Sequence, residues 1–279
     1  MDGSLAWTPA GDSLFVWRQV PSTWGPAGLY VIGAAGGSAR SLSPLNAPIV
    51  LHLSPDARTL AAGFGSRLFL VDAVTGSVRS PLYSPDGIES ADWLYADRVV
   101  VARPLLAPGE PHDSSGLAIF DLTRGELRPI RTPSDAVFGG EVRCSPDKSW
   151  IAFVFAGAIY VVRPDGSDRH VIAAPPGQRL LATPQWLDNG GHVLFTVLGS
   201  GLPSNRAVGV DGTGLRDWPW WVGRADAVTP DHRRVVVLGQ DRVGPDSLAL
   251  VLYLRDLDDA TGATAVQLTS YQPPVRVSP

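Results

Sequence analysis

The chain has 279 residues, 44% of them apolar and only 18% charged, a balance that suits a packed globular protein and excludes a disordered one. A formal net charge of −4 without any dense acidic or basic run leaves no electrostatic case for nucleic acid. Cys144 is the only cysteine, so an intrachain disulfide is excluded, and the absence of any apolar run of about 18 residues excludes a membrane-spanning helix.

The opening "MDGSLAWTPAGD" has neither the basic nor the apolar region of a secretion signal. It begins the first copy of a pattern that recurs along the whole sequence: "LAWTPAGDSLFVW", "LHLSPDARTLAAG", "ADWLYADRVVVAR", "VRCSPDKSWIAFV", "PQWLDNGGHVLFT" and "DAVTPDHRRVVVL". Aligned on the residue before the turn, the six anchors are Trp7, Leu53, Trp93, Cys144, Trp186 and Val228, spaced by 46, 40, 51, 42 and 42 residues. After each anchor come a turn, a β-branched or aromatic run, a variable connection, a second apolar run such as "GLYVIGAAGG" or "AIYVVRPDG", and a glycine turn. Short strands of period two with this punctuation form antiparallel meanders. In the Ser-Pro-Asp turns, proline holds the preceding residue extended and the aspartate closes the turn through its side chain, the role expected of Asp56, Asp147 and Asp231.

Each copy thus provides four strands, named a to d from the inside outward, and 25 prolines with 30 glycines leave no room for a long helix. Six such sheets at this period predict a single all-β domain over residues 1–279, a six-bladed β-propeller; a seven-bladed ring or a segment of a longer repeat protein is the alternative. The anchor spacing brings "VSP" at 277–279 into phase with the fourth copy's "CSP". Residues 4–7 and 266–277 are therefore expected near each other, where the ring closes.

The fourth copy, "SPDKSWIAFVFAGAIYVVRPDGSDRHVI", resembles the propeller repeat of the TolB family, whose pattern runs Ser-Pro-Asp-Gly, Ile-Ala-Phe, Ile-Tyr-Val and Asp-Gly. The resemblance extends more weakly to the first and second copies, while Leu94-Tyr95 and Leu187-Asp188 replace Ser-Pro in the third and fifth. It implies the propeller architecture and, where a signal has been removed, a periplasmic or extracytoplasmic location; otherwise a cytoplasmic one is expected. The chain begins at once with a repeat, so the small N-terminal domain of TolB is not expected here. The repeats are also similar to propellers that cap prolyl-oligopeptidase-type serine peptidases and to those of bacterial surface sensors, but no G-x-S-x-G elbow accompanies them.

The candidate chemistry is sparse. "GDSL" at Gly11–Leu14 matches a lipase nucleophile signature, yet Ser13 falls in the a–b turn of the first copy, where turn chemistry explains it. The histidines His52, His112, His170, His192 and His232 lie in different repeats without metal-ligand spacing, so no metal and no cofactor are expected. An enzyme working at the channel mouth would draw on the innermost strands, which offer Asp92, Glu141 and Asp226 beside Arg143 and His52.

Length varies most between strands b and c, because the distance from anchor to glycine turn runs from 22 to 34 residues. The long connections "RQVPSTWGPAG", "LGSGLPSNR" and "GQDRVGPDSLA" belong to copies one, five and six, neighbours in a closed ring, and share a face with "DWPWWVG". The sequence reading is a monomeric, noncatalytic module for a protein or peptide partner. Its contact residues are Arg18, Trp24, Arg206, Trp218, Trp220, Trp221, Arg224 and Arg242, since aromatic and arginine side chains carry much interface energy. Interblade packing is the competing role for the tryptophans.

Overall fold

The Ser/Thr-Pro turns of copies one, two, four and six fold alike. Ser54 Oγ donates to Asp56 Oδ1 (2.5 Å) and accepts the N–H of Thr59 (2.9 Å); Ser145 with Asp147, and Thr229 with Asp231, repeat the arrangement. Ala57, Lys148 and His232 follow in left-handed conformation at φ 62°, 63° and 56°, and Gly11 (68°) fills that place in the first copy. There the N–H of Ser13 donates to Thr8 Oγ1 (3.1 Å), so "GDSL" closes a hairpin. A hydroxyl that both donates to the aspartate and caps the returning strand explains the Ser/Thr-Pro-Asp spelling.

A computed structural model describes residues 2–18, 28–44, 50–85, 87–103, 116–130, 141–180, 184–199, 203–218, 224–244, 247–258 and 265–268; at 2–4, 18, 50, 64, 224–226, 238–244 and 247–250 only the backbone is described. Blade one comprises β1 (Asp2–Trp7), β2 (Ser13–Arg18), β3 (Gly28–Gly33) and β4 (Arg40–Ser43), and blade two β5 (Val50–Leu53), β6 (Thr59–Phe64), β7 (Arg67–Asp72) and β8 (Val78–Tyr83). Blade three holds β9 (Ser90–Tyr95), β10 (Arg98–Ala102), β11 (Leu117–Asp121) and β12 (Glu126–Pro129); blade four holds β13 (Val142–Cys144), β14 (Ile151–Phe155), β15 (Ala158–Val162) and β16 (His170–Ala173). In blade five, β17 (Arg179–Leu180) and β18 (Gln185–Leu187) share the inner position, both pairing with β19 (His192–Leu198), followed by β20 (Ser204–Gly209) and β21 (Arg216–Trp218). Blade six runs through β22 (Arg224–Val228), β23 (Arg234–Gly244), β24 (Ser247–Asp256) and β25 (Val266–Gln267). Every pairing is antiparallel and every sheet is made from one contiguous stretch, which establishes the six-bladed propeller.

Period-two alternation sends each strand's apolar residues to two different neighbours. Phe15 and Trp17 of β2 pack against Leu51, Leu60 and Val71 of blade two, while Leu14 and Val16 pack against Val236, Leu252 and Leu254 of blade six. Six such clusters fill the six junctions. The last joins Leu5 and Trp7 to Leu268, so the described parts of the two ends meet at one seam; residues 269–279 lie outside the described residues.

The c–d turns add a second interblade contact at the rim. Gly76 (φ 73°) sits so close to blade one that a Cβ there would stand 2.0 Å from the carbonyl oxygen of Leu42. Gly36 (φ 80°) makes the corresponding approach to blade six, with more room: 3.2 Å to the oxygen of Gln267. One feature departs from the sequence reading. "GQDRVGPDSLA" forms a ribbon in place of a loop, because β23 and β24 continue pairing from Leu238↔Leu252 out to Gly244↔Ser247. The valine- and leucine-rich flanks favour strand, and only two positions, 245 and 246, separate β23 from β24 in the sequence.

Candidate functional site

The inner strands surround a channel whose mouth, on the face of the a–b turns, holds a cavity of about 380 Å³. The residue preceding each anchor lines it in all six blades: Ala6, His52, Asp92, Arg143, Gln185 and Ala227. The meander gives these residues one address, and alternation turns them inward while the anchors turn toward the junctions. Polar side chains therefore occupy the arc from blade two to blade five, and alanines occupy blades six and one.

Within the polar arc, Asp92 is the hub. Its Oδ1 accepts the N–H of Trp93 (2.7 Å) and stands 3.0 Å from His52 Nδ1, and its Oδ2 accepts the N–H of Cys144 (2.7 Å), tying blades two, three and four together. Arg143 lies against the imidazole, with Nη1 2.6 Å from Nε2. Lys148 Nζ donates to the carbonyl of Trp93 (3.1 Å). Burial pushes the His52 pKa down and the adjacent guanidinium adds to this, while the Asp92 carboxylate opposes it. Burial by itself raises a carboxyl pKa, but at Asp92 the histidine, Arg143 and Lys148 outweigh it and hold the group at about 2. Burial also raises the Cys144 thiol, which stays protonated.

The anchors complete the ring. Trp93 Nε1 donates to the carbonyl of His52 in the preceding blade (2.9 Å), and Trp186 Nε1 to that of Arg143 (3.1 Å). The equivalent acceptor for Trp7 is the carbonyl of Ala227, yet Trp7 Nε1 is buried with no hydrogen-bond partner among the described residues. His232 Nδ1, on the a–b turn of blade six, is also buried with no hydrogen-bond partner among the described residues.

Of the five inner-strand residues named from the sequence, His52, Asp92 and Arg143 meet at the cavity; Glu141 is not among its lining residues, and the Asp226 side chain lies outside the description. Gln185, Trp7 and His232 escaped that reading, although aligning the position before each anchor picks out Gln185 at once. On the b–c face, Trp24, Trp220 and Trp221 lie outside the described residues, as do the side chains of Arg18, Arg224 and Arg242. Arg206 donates from Nε to Asp217 (2.7 Å) and from Nη1 to Gln178 (2.8 Å). Trp218 is buried between blades five and six, donating to the carbonyl of Leu257 (3.1 Å), with Arg216 over its ring; that is the interblade role. His112 lies outside the described residues, and among those described no three His, Cys, Asp or Glu side chains gather as metal ligands. No described helix is long and apolar enough to cross a membrane.

No family model matches the chain, and neither does any curated protein. Solved structures do. A TolB-type protein of Agrobacterium tumefaciens superposes with a TM-score of 0.62 at 17% identity, covering 83% of this chain and 87% of its own. An oligogalacturonate lyase of Vibrio parahaemolyticus gives 0.58 at 16%, covering 96% and 78%, and TolB of Acinetobacter baumannii 0.60 at 15%, covering 92% and 61%. At these identities the likeness is one of fold, and the fold is a TolB-like propeller.

Proposed function

We propose that this propeller is a noncatalytic binding module that takes a protein or peptide partner on its b–c face. The observation that carries this reading is the ribbon of blade six. Beyond Leu238, which pairs with Arg224, β23 has only β24 as a described partner, so residues 239–251 extend past the inner strand as a two-stranded arm. Connections on that face range from two residues (65–66, 156–157) to fourteen (103–116), as suits a surface adapted to a particular partner on a constant scaffold. Trp24, Trp220 and Trp221, with Arg18, Arg206, Arg224 and Arg242, are the proposed contact residues, while Trp218 packs between blades five and six.

The state of Asp92 supports a scaffold role over a catalytic one. Both its oxygens are engaged by backbone N–H groups and its pKa of about 2 is far from that of an effective general base at neutral pH. The test replaces residues 239–251 by a two-residue turn like that at 65–66, joining Leu238 to Leu252. The shortened protein should keep its melting temperature within a few degrees and lose the partner that the intact protein captures from extracts of the source organism. Equal capture by a folded, shortened protein places the partner elsewhere and overturns the reading.

A further inference from the structure

Positive charge outweighs negative charge in the polar arc of the channel mouth. Three charged groups act on His52: Arg143 of β13, Asp92 of β9 and Lys148 of the a–b turn in blade four. Two cations thus share one carboxylate, whose oxygens are already engaged by Trp93, Cys144 and His52. This surplus stands beside the cavity of about 380 Å³ that His52 and Arg143 both line, together with His232 of blade six. The contact between Arg143 and His52 depends on the charge of the ring. Nη1 lies against both ring nitrogens, and a guanidinium only donates, so the contact needs a lone pair on the imidazole. A second proton removes that lone pair and sets one cation against another. Burial first, and then the charge of Arg143, resists that proton, while Asp92 favours it.

We infer that the channel mouth is a proton-coupled site for a small oxyanion, which enters the cavity beside Arg143 as His52 takes up a proton and accepts from both the guanidinium and the imidazolium. The anion offsets the charge that resists the proton and replaces one neutral contact with charge-assisted hydrogen bonds. Arg143 is half-buried and already lines the cavity, so the exchange is confined to side chains. Protonation and anion binding then strengthen each other by the same factor. The site lies on the face opposite the b–c connections, so it stands or falls independently of partner binding there.

The experiment measures sulfate binding by calorimetry at about pH 7.5 and about pH 5, with ionic strength held constant by chloride. Sulfate keeps its two charges across this range and should bind about tenfold tighter at the lower pH. In the wild-type protein, NMR should show the His52 ring titrating at higher pH when sulfate is saturating. Arg143→Gln should weaken sulfate at the lower pH about tenfold. His52→Gln should remove the pH dependence, whereas His232→Gln, in the same cavity, should keep it. The proposal is overturned if sulfate binds equally at both pH values or at neither, if the His52 titration ignores sulfate, or if Arg143→Gln binds it as the wild type does. Loss of the pH dependence in His232→Gln with its survival in His52→Gln overturns it too.

Discussion

At the position before the anchor, blades two to five present His52, Asp92, Arg143 and Gln185 to the channel, whereas blades six and one present Ala227 and Ala6. The first arc is cross-linked by hydrogen bonds that span three blades; the second is held by the apolar cluster of Leu5, Trp7, Val236, Leu254 and Leu268. A repeat that looks uniform in its turns and anchors is therefore uneven in its junctions. On one side directional bonds add to the apolar packing, while on the other apolar packing acts without the indole bond, since Trp7 Nε1 has no hydrogen-bond partner among the described residues.

Comparing glycine substitutions at the rim tests this unevenness most severely. Gly76→Ala drives a methyl into the carbonyl of Leu42 at a left-handed position and should lower stability by about 4 kcal/mol, measured by urea denaturation. Gly36→Ala, at the looser seam, should lower it by about 1 to 2 kcal/mol. Equal losses would make the two junctions equally tight.

Asp92→Ala strands two backbone N–H groups and the histidine, and should destabilise by about 3 kcal/mol in the same assay. Because the Asp92 pKa is depressed in the folded protein, its contribution of about 2 kcal/mol is present above pH ~4 and is lost as pH falls toward 2. His52, whose pKa is also lowered, makes stability decline earlier, as pH drops below the ordinary histidine value of about 6.5, since the unfolded chain takes up the proton first. Asp92→Asn should remove the lower step from a plot of stability against pH; an unchanged acid limb would mean that Asp92 titrates normally.

The smallest contrast is between anchors. Trp93→Phe and Trp7→Phe lose similar ring volume, but only the first breaks a hydrogen bond, so it should cost about 1 kcal/mol more. A difference of zero would show that the indole bond adds nothing to the junction.

Anchors, Ser/Thr-Pro-Asp turns and glycine turns made the architecture legible because each is a local device: a capped hydroxyl, a fixed proline, a left-handed residue. Register within blades followed from alternation. The polar hub was legible only as types on inner strands, since the bond from Cys144 to Asp92 joins residues 52 apart and depends on how neighbouring blades stagger. The arm of blade six was misread because length alone does not distinguish a loop from a hairpin; its Leu-Ala-Leu-Val run was the missed signal.

Each blade being a contiguous stretch also orders events on the ribosome. Five junctions join sheets that leave the tunnel one after another, whereas the sixth must bring Leu14 and Val16 to Val236 and Leu252 across more than two hundred positions. Closing that longer span costs about 1.5 kcal/mol more in chain entropy than closing one of about forty residues. Until residues 224–268 emerge, the flank of blade one formed by Leu5, Leu14, Val16 and Ile32 has no cover, and a nascent chain carries that sticky surface through most of its synthesis.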